Sequence, residues 1–250
     1  MKRSSRALTS RVLALGLALA LTGCARAPET SARPPMAGAG PGASPAVREI
    51  TEFEDFALLE RGTYSIDPDG DASTRLRVVF EVPFAWYKWI GASKSAGDGH
   101  AGVGITTVRN LVSHGCRDHR PADPPVGPAV DDLATALTHL APFEVVSPPK
   151  DVSIYGYRGK HLQWRVPDMP VERSGDDLDF TPCIEGNLKS WISPTWGPYH
   201  GYTGPGYTEE FWILDVEDTR LMIVAKRSAG SPPQDLAELR AVLASIRIEP

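Results

Sequence analysis

Four short stretches of the chain carry residue types that could do chemistry. GDGHAG (residues 97–102) satisfies G-x-G-x-x-G, the pattern that joins a strand to a helix whose amides face a pyrophosphate. Here it runs straight into the β-branched VGITTV (103–108), so the glycines predict a turn and no dinucleotide loop. SPPK (147–150) satisfies S-x-x-K, whose chemistry needs Ser and Lys one helical turn apart and the partner motifs S-D-N and K-T-G. Two prolines forbid that helix, and the sequence contains neither partner. DPDGDAST (67–74) offers three carboxylates, but an EF-hand loop counted from Asp67 would need Gly and Glu where Ala72 and Val78 stand; a solvated turn is expected. The fourth stretch, WISPTWGPYHGYTGPGY (191–207), holds Trp191, Trp196, Tyr199, His200, Tyr202 and Tyr207 and no charged residue. Flat amphipathic rings on a loop suit a sugar or peptide surface, and the same rings could instead pack over the end of a sheet. These six residues are the candidate ligand contacts. A second aromatic group, Phe84, Trp86, Tyr87 and Trp89, is assigned to core and sheet-edge packing. G-x-S-x-G, HExxH, a Walker loop and C-x-x-C are all missing from the sequence, although a triad assembled from distant positions stays open. No catalytic residue and no cofactor is assigned.

The elements that would place these residues begin with a leader. Lys2, Arg3, Arg6 and Arg11 precede a run from Val12 to Leu21 in which every residue is apolar or glycine, and no acidic residue occurs before Glu29. About ten apolar residues behind a basic end read as a secretory signal, since a spanning helix needs about twenty. Leu21-Thr22-Gly23-Cys24 resembles the lipobox of bacterial lipoproteins. That resemblance implies cleavage before Cys24, a thioether-linked diacylglycerol on its sulfur, and attachment to the outer face of the cell membrane. Residues 1–23 are then the signal peptide. Residues 24–48 are a lipidated cysteine with a Pro/Gly/Ala tether too poor in apolar groups to order itself, with a reach on the order of 25–30 Å.

With Cys24 acylated, an exported chain has one possible pairing left, Cys116 with Cys183. In the chain-entropy picture that bridge would be worth about 4 kcal/mol. A zinc set of His114, Cys116 and His119 in SHGCRDH competes with it, but the spacing is uncommon and an oxidising location favours the disulfide; no metal is assigned.

Without residues 1–23 the chain keeps 22 of its 26 basic residues against 31 acidic ones, a formal charge of −9. That balance argues against nucleic acid as a partner. Residues 49–250 suffice for one well-cored domain. RLRVVFEVP (75–83) and VGITTV read as strands, and VDDLATALTHL as a helix with Val130, Leu133, Ala134, Leu137 and Leu140 on one face. FEVV, VSIYGY and KHLQWRV give short strands. EEFWILDVEDTRLMIVAKR reads as a hairpin turning at 217–219, and SPPQDLAELRAVLASIRI as a final helix with Ser231 as cap and Leu236, Leu239, Leu243 and Ile246 in its stripe.

The segment from about Val130 to Pro250 resembles a family of actinobacterial exported proteins and lipoproteins, through VDDLATALTHL, DVSIYGYRGKHLQWRVP, the Cys183 loop, FWILDVEDTRLMIVA and AELRAVLASIRIEP. Its hairpin-then-helix ending is similar to PsbP-like and LpqN-like folds. The likeness implies an α+β single domain, a central and mostly antiparallel β-sheet covered by helices (an α/β/α sandwich). The expected function is a membrane-anchored, extracytoplasmic, non-enzymatic binding or accessory module, with a glycan or protein of the envelope as partner. An envelope hydrolase with an unrecognised site and a structural subunit of a membrane complex are the alternatives. If the anchor is Cys24, Cys24→Ala releases the protein from the membrane fraction; unchanged retention in a fractionation blot refutes it.

Overall fold

A computed structural model of the chain describes residues 46–71, 73–97, 99–174, 177–195 and 199–250. The leader, Cys24, the tether through residue 45, and Trp196 lie outside the described residues. Among the described residues no helix is long and apolar enough to cross a membrane.

An eight-stranded sheet organises the domain. Its strands, in spatial order, are β10 (Glu144–Ile154), β11 (Tyr157–Arg165), β15 (Thr208–Val216), β16 (Thr219–Arg227), β7 (Gly99–Thr107), β6 (Gly91–Ala96), β5 (Trp86–Lys88) and β2 (Leu58–Leu59). Every neighbouring pair in it is antiparallel. The alternation that makes these segments strands also gives the sheet two buried faces. On one face Leu162, Trp164, Phe211, Ile213, Met222 and Val224 form the first core. On the other, Val103, Ile105, Leu214, Leu221 and Ile223 form the second. The turn at Glu217–Asp218 places both residues at positive φ, 47° and 69°, as a two-residue hairpin connection demands.

The second core is closed by a second sheet of β1 (Arg48–Glu49), β3 (Gly62–Ile66), β4 (Arg77–Val82) and β17 (Arg247–Glu249), together with α2 (Pro233–Ser245). Only the β1–β3 pair there is parallel. The first core is closed by α1 (Val130–His139) and a three-stranded sheet of β14 (Trp191–Ile192), β8 (Asn110–His114) and β9 (Asp118–Pro121). A two-stranded ribbon, β12 (Val171–Ser174) with β13 (Asp177–Phe180), completes the set.

This corrects the expected α/β/α sandwich: the fold is β-rich, and helices do not cover the central sheet. Two helices of 10 and 13 residues are too short to blanket eight strands, so most of the covering is done by further strands. Of the expected stripe on the final helix, Leu239 and Ile246 are buried in the second core and Leu243 packs against it. Asp235, Leu239 and Val242 face inward, and Asp235 is tolerated because Lys94 Nζ lies 2.8 Å from its carboxylate. Ser231 does not cap that helix; its Oγ donates to the carbonyls of His100 and, at 2.9 Å, Ser228.

The chemistry-bearing loops resolve locally. SPPK lies in the extended strand β10, and residues 99–102 of GDGHAG are the start of strand β7 rather than part of the expected turn. In the Asp67 loop the carboxylates accept from their own backbone, Asp67 Oδ1 from Gly70 N–H at 2.9 Å and Asp71 Oδ1 from Ser73 N–H at 2.9 Å. Cys116 and Cys183 are joined by a disulfide across 67 positions. That removes the thiolate a zinc set needs, while His114 Nδ1 accepts from the Cys116 and Arg117 amides, both at 3.1 Å, and His119 Nε2 lies 3.0 Å from the Gly115 carbonyl. The bridge ties the β8–β9 turn to the segment below the ribbon. Replacing both cysteines with Ala should lower the unfolding free energy by about 2–5 kcal/mol, read from urea midpoints.

Candidate functional site

Of the six aromatic-loop residues, the five that are described do not form an exposed platform; Trp196 lies outside the described residues. Trp191 is fully buried in β14 and stacks on His200, rings 3.9 Å apart and 5° from parallel. His200 and Tyr202 are buried with it, while Tyr199 and Tyr207 are half-buried against the same core. The rings cover the end of the sheet because β14 pairs with β8 and the His200 amide donates back to the Trp191 carbonyl at 2.8 Å, which folds the loop inward. Trp191, His200 and most of Tyr202 are therefore core residues. Tyr202 also reaches the wall of a cleft.

That cleft, of about 740 Å³, is where polar and aromatic groups converge. One row of the main sheet builds it. Reading across the strands in register, Leu58 stands opposite Tyr87, then follow Ser93, Gly102, Lys226, Glu209, Trp164 and Val145. Residues in one antiparallel row project to one face. Gly102 is the gap in this row. A Cβ there would stand 3.1 Å from Ser93 Cβ, 3.3 Å from His100 Nε2 and 3.4 Å from the Trp89 ring. The His100 and Trp89 side chains lean into the space that glycine leaves.

Beside that gap lies Lys226, 4% exposed. Its Nζ sits over three rings, 4.4 Å from the centroid of Tyr207, 5.1 Å from Tyr202 and 5.7 Å from Trp89. Cation–π attraction to electron-rich faces offsets part of the lost hydration. Among the described residues Nζ makes no hydrogen bond and no ion pair. Burial lowers its pKa from the usual lysine range, and Glu209 opposes that shift.

Glu209 is the counter-charge, fully buried. Oε2 accepts from Trp164 Nε1–H and Tyr202 O–H, both at 2.8 Å; Oε1 lies 3.5 Å from His200 Nε2 without a formed hydrogen bond. Burial pushes its pKa up, but His200, Lys226 and Trp164 outweigh burial and the net direction is down, so the carboxylate is ionised. Burial holds the His200 imidazole below its ordinary range, hence neutral. Burial, then Lys226, takes His100 down to about 3. His100 Nδ1 faces Ser95 Oγ at 3.1 Å, and its Nε2 is buried without a partner. Among the described residues no cluster of metal-ligating side chains occurs.

Sequence reading missed Lys226, Glu209 and His100, and placed Trp89 in packing alone. A signal was present. The two-residue turn at 217–218 fixes the register of the hairpin and sets Glu209 opposite Lys226, on the same parity as the inward-facing Phe211 and Val224. Two opposite charges at adjacent core-facing positions are a marked departure from the alternation around them.

Breaking the pair by Glu209→Gln should cost about 3–5 kcal/mol, because it strands a buried ammonium; the double variant Glu209→Gln/Lys226→Met should recover much of that loss in urea unfolding. His100 makes a separate prediction in acid. Its folded pKa of about 3 lies below the ordinary 6.5, so the unfolded chain takes up a proton that the folded chain refuses. Its contribution is whole above about 6.5 and lost as pH falls toward 3. His100→Gln should therefore flatten the fall of Tm between pH 6 and pH 4 in a calorimetric series. Compared with protein-family models, with curated proteins and with solved structures, the chain finds no match in any of the three.

Proposed function

We propose that this chain is a lipid-anchored protein of the extracytoplasmic membrane face whose domain is a non-enzymatic binding module, and that its ligand enters the Lys226 cleft. The anchor rests on the LTGC lipobox and the tether behind it. The binding reading rests on one observation above others: a nearly buried lysine, boxed by three aromatic rings and without a direct hydrogen bond or ion pair among the described residues, at a cleft of about 740 Å³. That volume falls within the range of small-molecule sites, and the mix of aromatic walls with a few polar groups suits them. The Trp191–Tyr207 stretch takes part through Tyr202 and Tyr207 rather than as an exposed surface.

The hydrolase alternative would have to use Ser95 and His100, the serine–histidine pair at the cleft. A general base needs an orienting acid and a pKa near the working pH. The outer nitrogen of His100 has no acid partner, and an imidazole near 3 is a poor base at neutral pH. Both points favour binding over hydrolysis.

Thr203 is exposed on the cleft wall, away from the buried charges. Thr203→Trp should narrow the cleft and leave Tm within a few degrees. Organic extracts of the wild-type protein purified from its own membranes should then contain a small molecule that the variant lacks, by mass spectrometry. Identical extracts from both proteins would end the proposal.

A further inference from the structure

Resting on that binding reading, we infer that the cleft takes a ligand with one anionic head, a carboxylate or a phosphate, on a flat apolar body. Three observations fix the class. The first is the floor. Lys226 is 4% exposed, its ammonium faces the cleft, and among the described residues its in-register neighbour Glu209 forms no direct ion pair with it. Glu209 directs Oε2 to Trp164 and Tyr202 and turns Oε1 toward His200. The pair compensates through space only, which leaves the direct coordination of Nζ to whatever enters. An anionic oxygen against a desolvated ammonium makes a charge-assisted hydrogen bond of the stronger kind. Asp179 also lines the cleft but forms no ion pair with Lys226.

The second is the wall. Trp89 and Tyr202 face the cleft, and Lys226 already occupies the rings that would otherwise cage a ligand cation. A positively charged head would meet both a filled box and a like charge. The walls remain suited to a flat apolar body held beside the ammonium.

The third is the lip. Phe56, 68% exposed, and Tyr87, 39% exposed, border the mouth, and Leu58, 56% exposed, stands in register with Tyr87 on the same face. The row that begins with an apolar edge in solvent therefore leads inward to a buried cation. A ligand with an apolar body outward and an anionic head inward matches that gradient from end to end.

The test compares three water-soluble probes on the full chain in nonionic micelles by isothermal titration calorimetry, with empty micelles subtracted. The probes are 2-naphthoate, 1-naphthyl phosphate and the neutral 2-naphthamide. At least one anion should bind tenfold or more tighter than the amide, with that preference falling at high salt, and the better anion names the head. Lys226→Met should erase the preference, so that acid and amide bind alike. Because Lys226→Met could alter the core, the wild-type preference decides by itself. Equal binding of all three probes to the wild type overturns the anionic head while the cleft stays a binding site. Failure of all three to bind overturns this inference, and the extraction experiment above then judges the binding reading independently.

Discussion

The buried Glu209 carboxylate is the interaction on which the rest of the site depends. A carboxylate at the centre of a sheet face costs several kcal/mol to desolvate, and the structure answers with two short donated hydrogen bonds, a neutral imidazole and a lysine one strand away. Each of these recruits a further element. Trp164 comes from β11, Tyr202 and His200 from the loop after β14, and Lys226 from β16. The described residues 199–207, with little regular structure, are thereby held against the sheet by the polar groups they bring. Their uncharged aromatic composition suits that role: His200 stacks on Trp191 and the Tyr202 ring lies tilted against Phe143, while the Tyr202 hydroxyl reaches the carboxylate.

Sequence and structure agree where local physics decides and part where long-range pairing does. The stripe of Leu133, Ala134 and Leu137, the hairpin around 217–218 and the alternation of Leu162 and Trp164 depend on neighbours within a turn or a strand. The covering of the main sheet does not. Whether Tyr64, Val78 and Phe80 would extend the central sheet or build a second one is settled by β4 pairing with β17, over a hundred and sixty positions away. The short segment Arg247–Glu249 offered three residues of weak pattern, and its strand exists only because the edge of β4 is there to receive it.

The site shows the same division more sharply. Trp191 to Tyr207 stood out by composition, and composition could not say whether the rings faced solvent or core. Burial of Trp191 and His200 shows that the absence of charge meant an interior, not a display surface. Lys226 and Glu209 hid in the opposite way. Within AKR and TEE they look like ordinary ends of exposed strands, and only the register set by the tight turn puts them side by side facing inward. Gly102 is fainter still. In GDGHAG it reads as part of a loop, while in the sheet it is the missing side chain that admits Trp89 and His100.

Such a cluster is a poor investment for stability alone. A buried ion pair usually does no better than a well-packed apolar pair of similar volume, and often worse. Lys226 sits at the costly end of that comparison, since its ammonium gains three ring faces and a carboxylate through space but no direct acceptor among the described residues. The second core also carries a buried charge, Asp235, but Lys94 Nζ pairs with it directly at 2.8 Å; its largest buried members are Trp86, Tyr64 and Phe80, and the Trp86 N–H and Tyr64 O–H reach acceptors at its margin. The fold thus closes one face of its sheet with apolar side chains, peripheral hydrogen bonds and a directly paired carboxylate. On the other face it keeps a cation next to a glycine gap, under a cleft with an apolar lip. Packing needs explain the first arrangement completely. They leave the second unexplained, and on the proposed reading the cleft would be the route by which an anionic ligand reaches the ammonium.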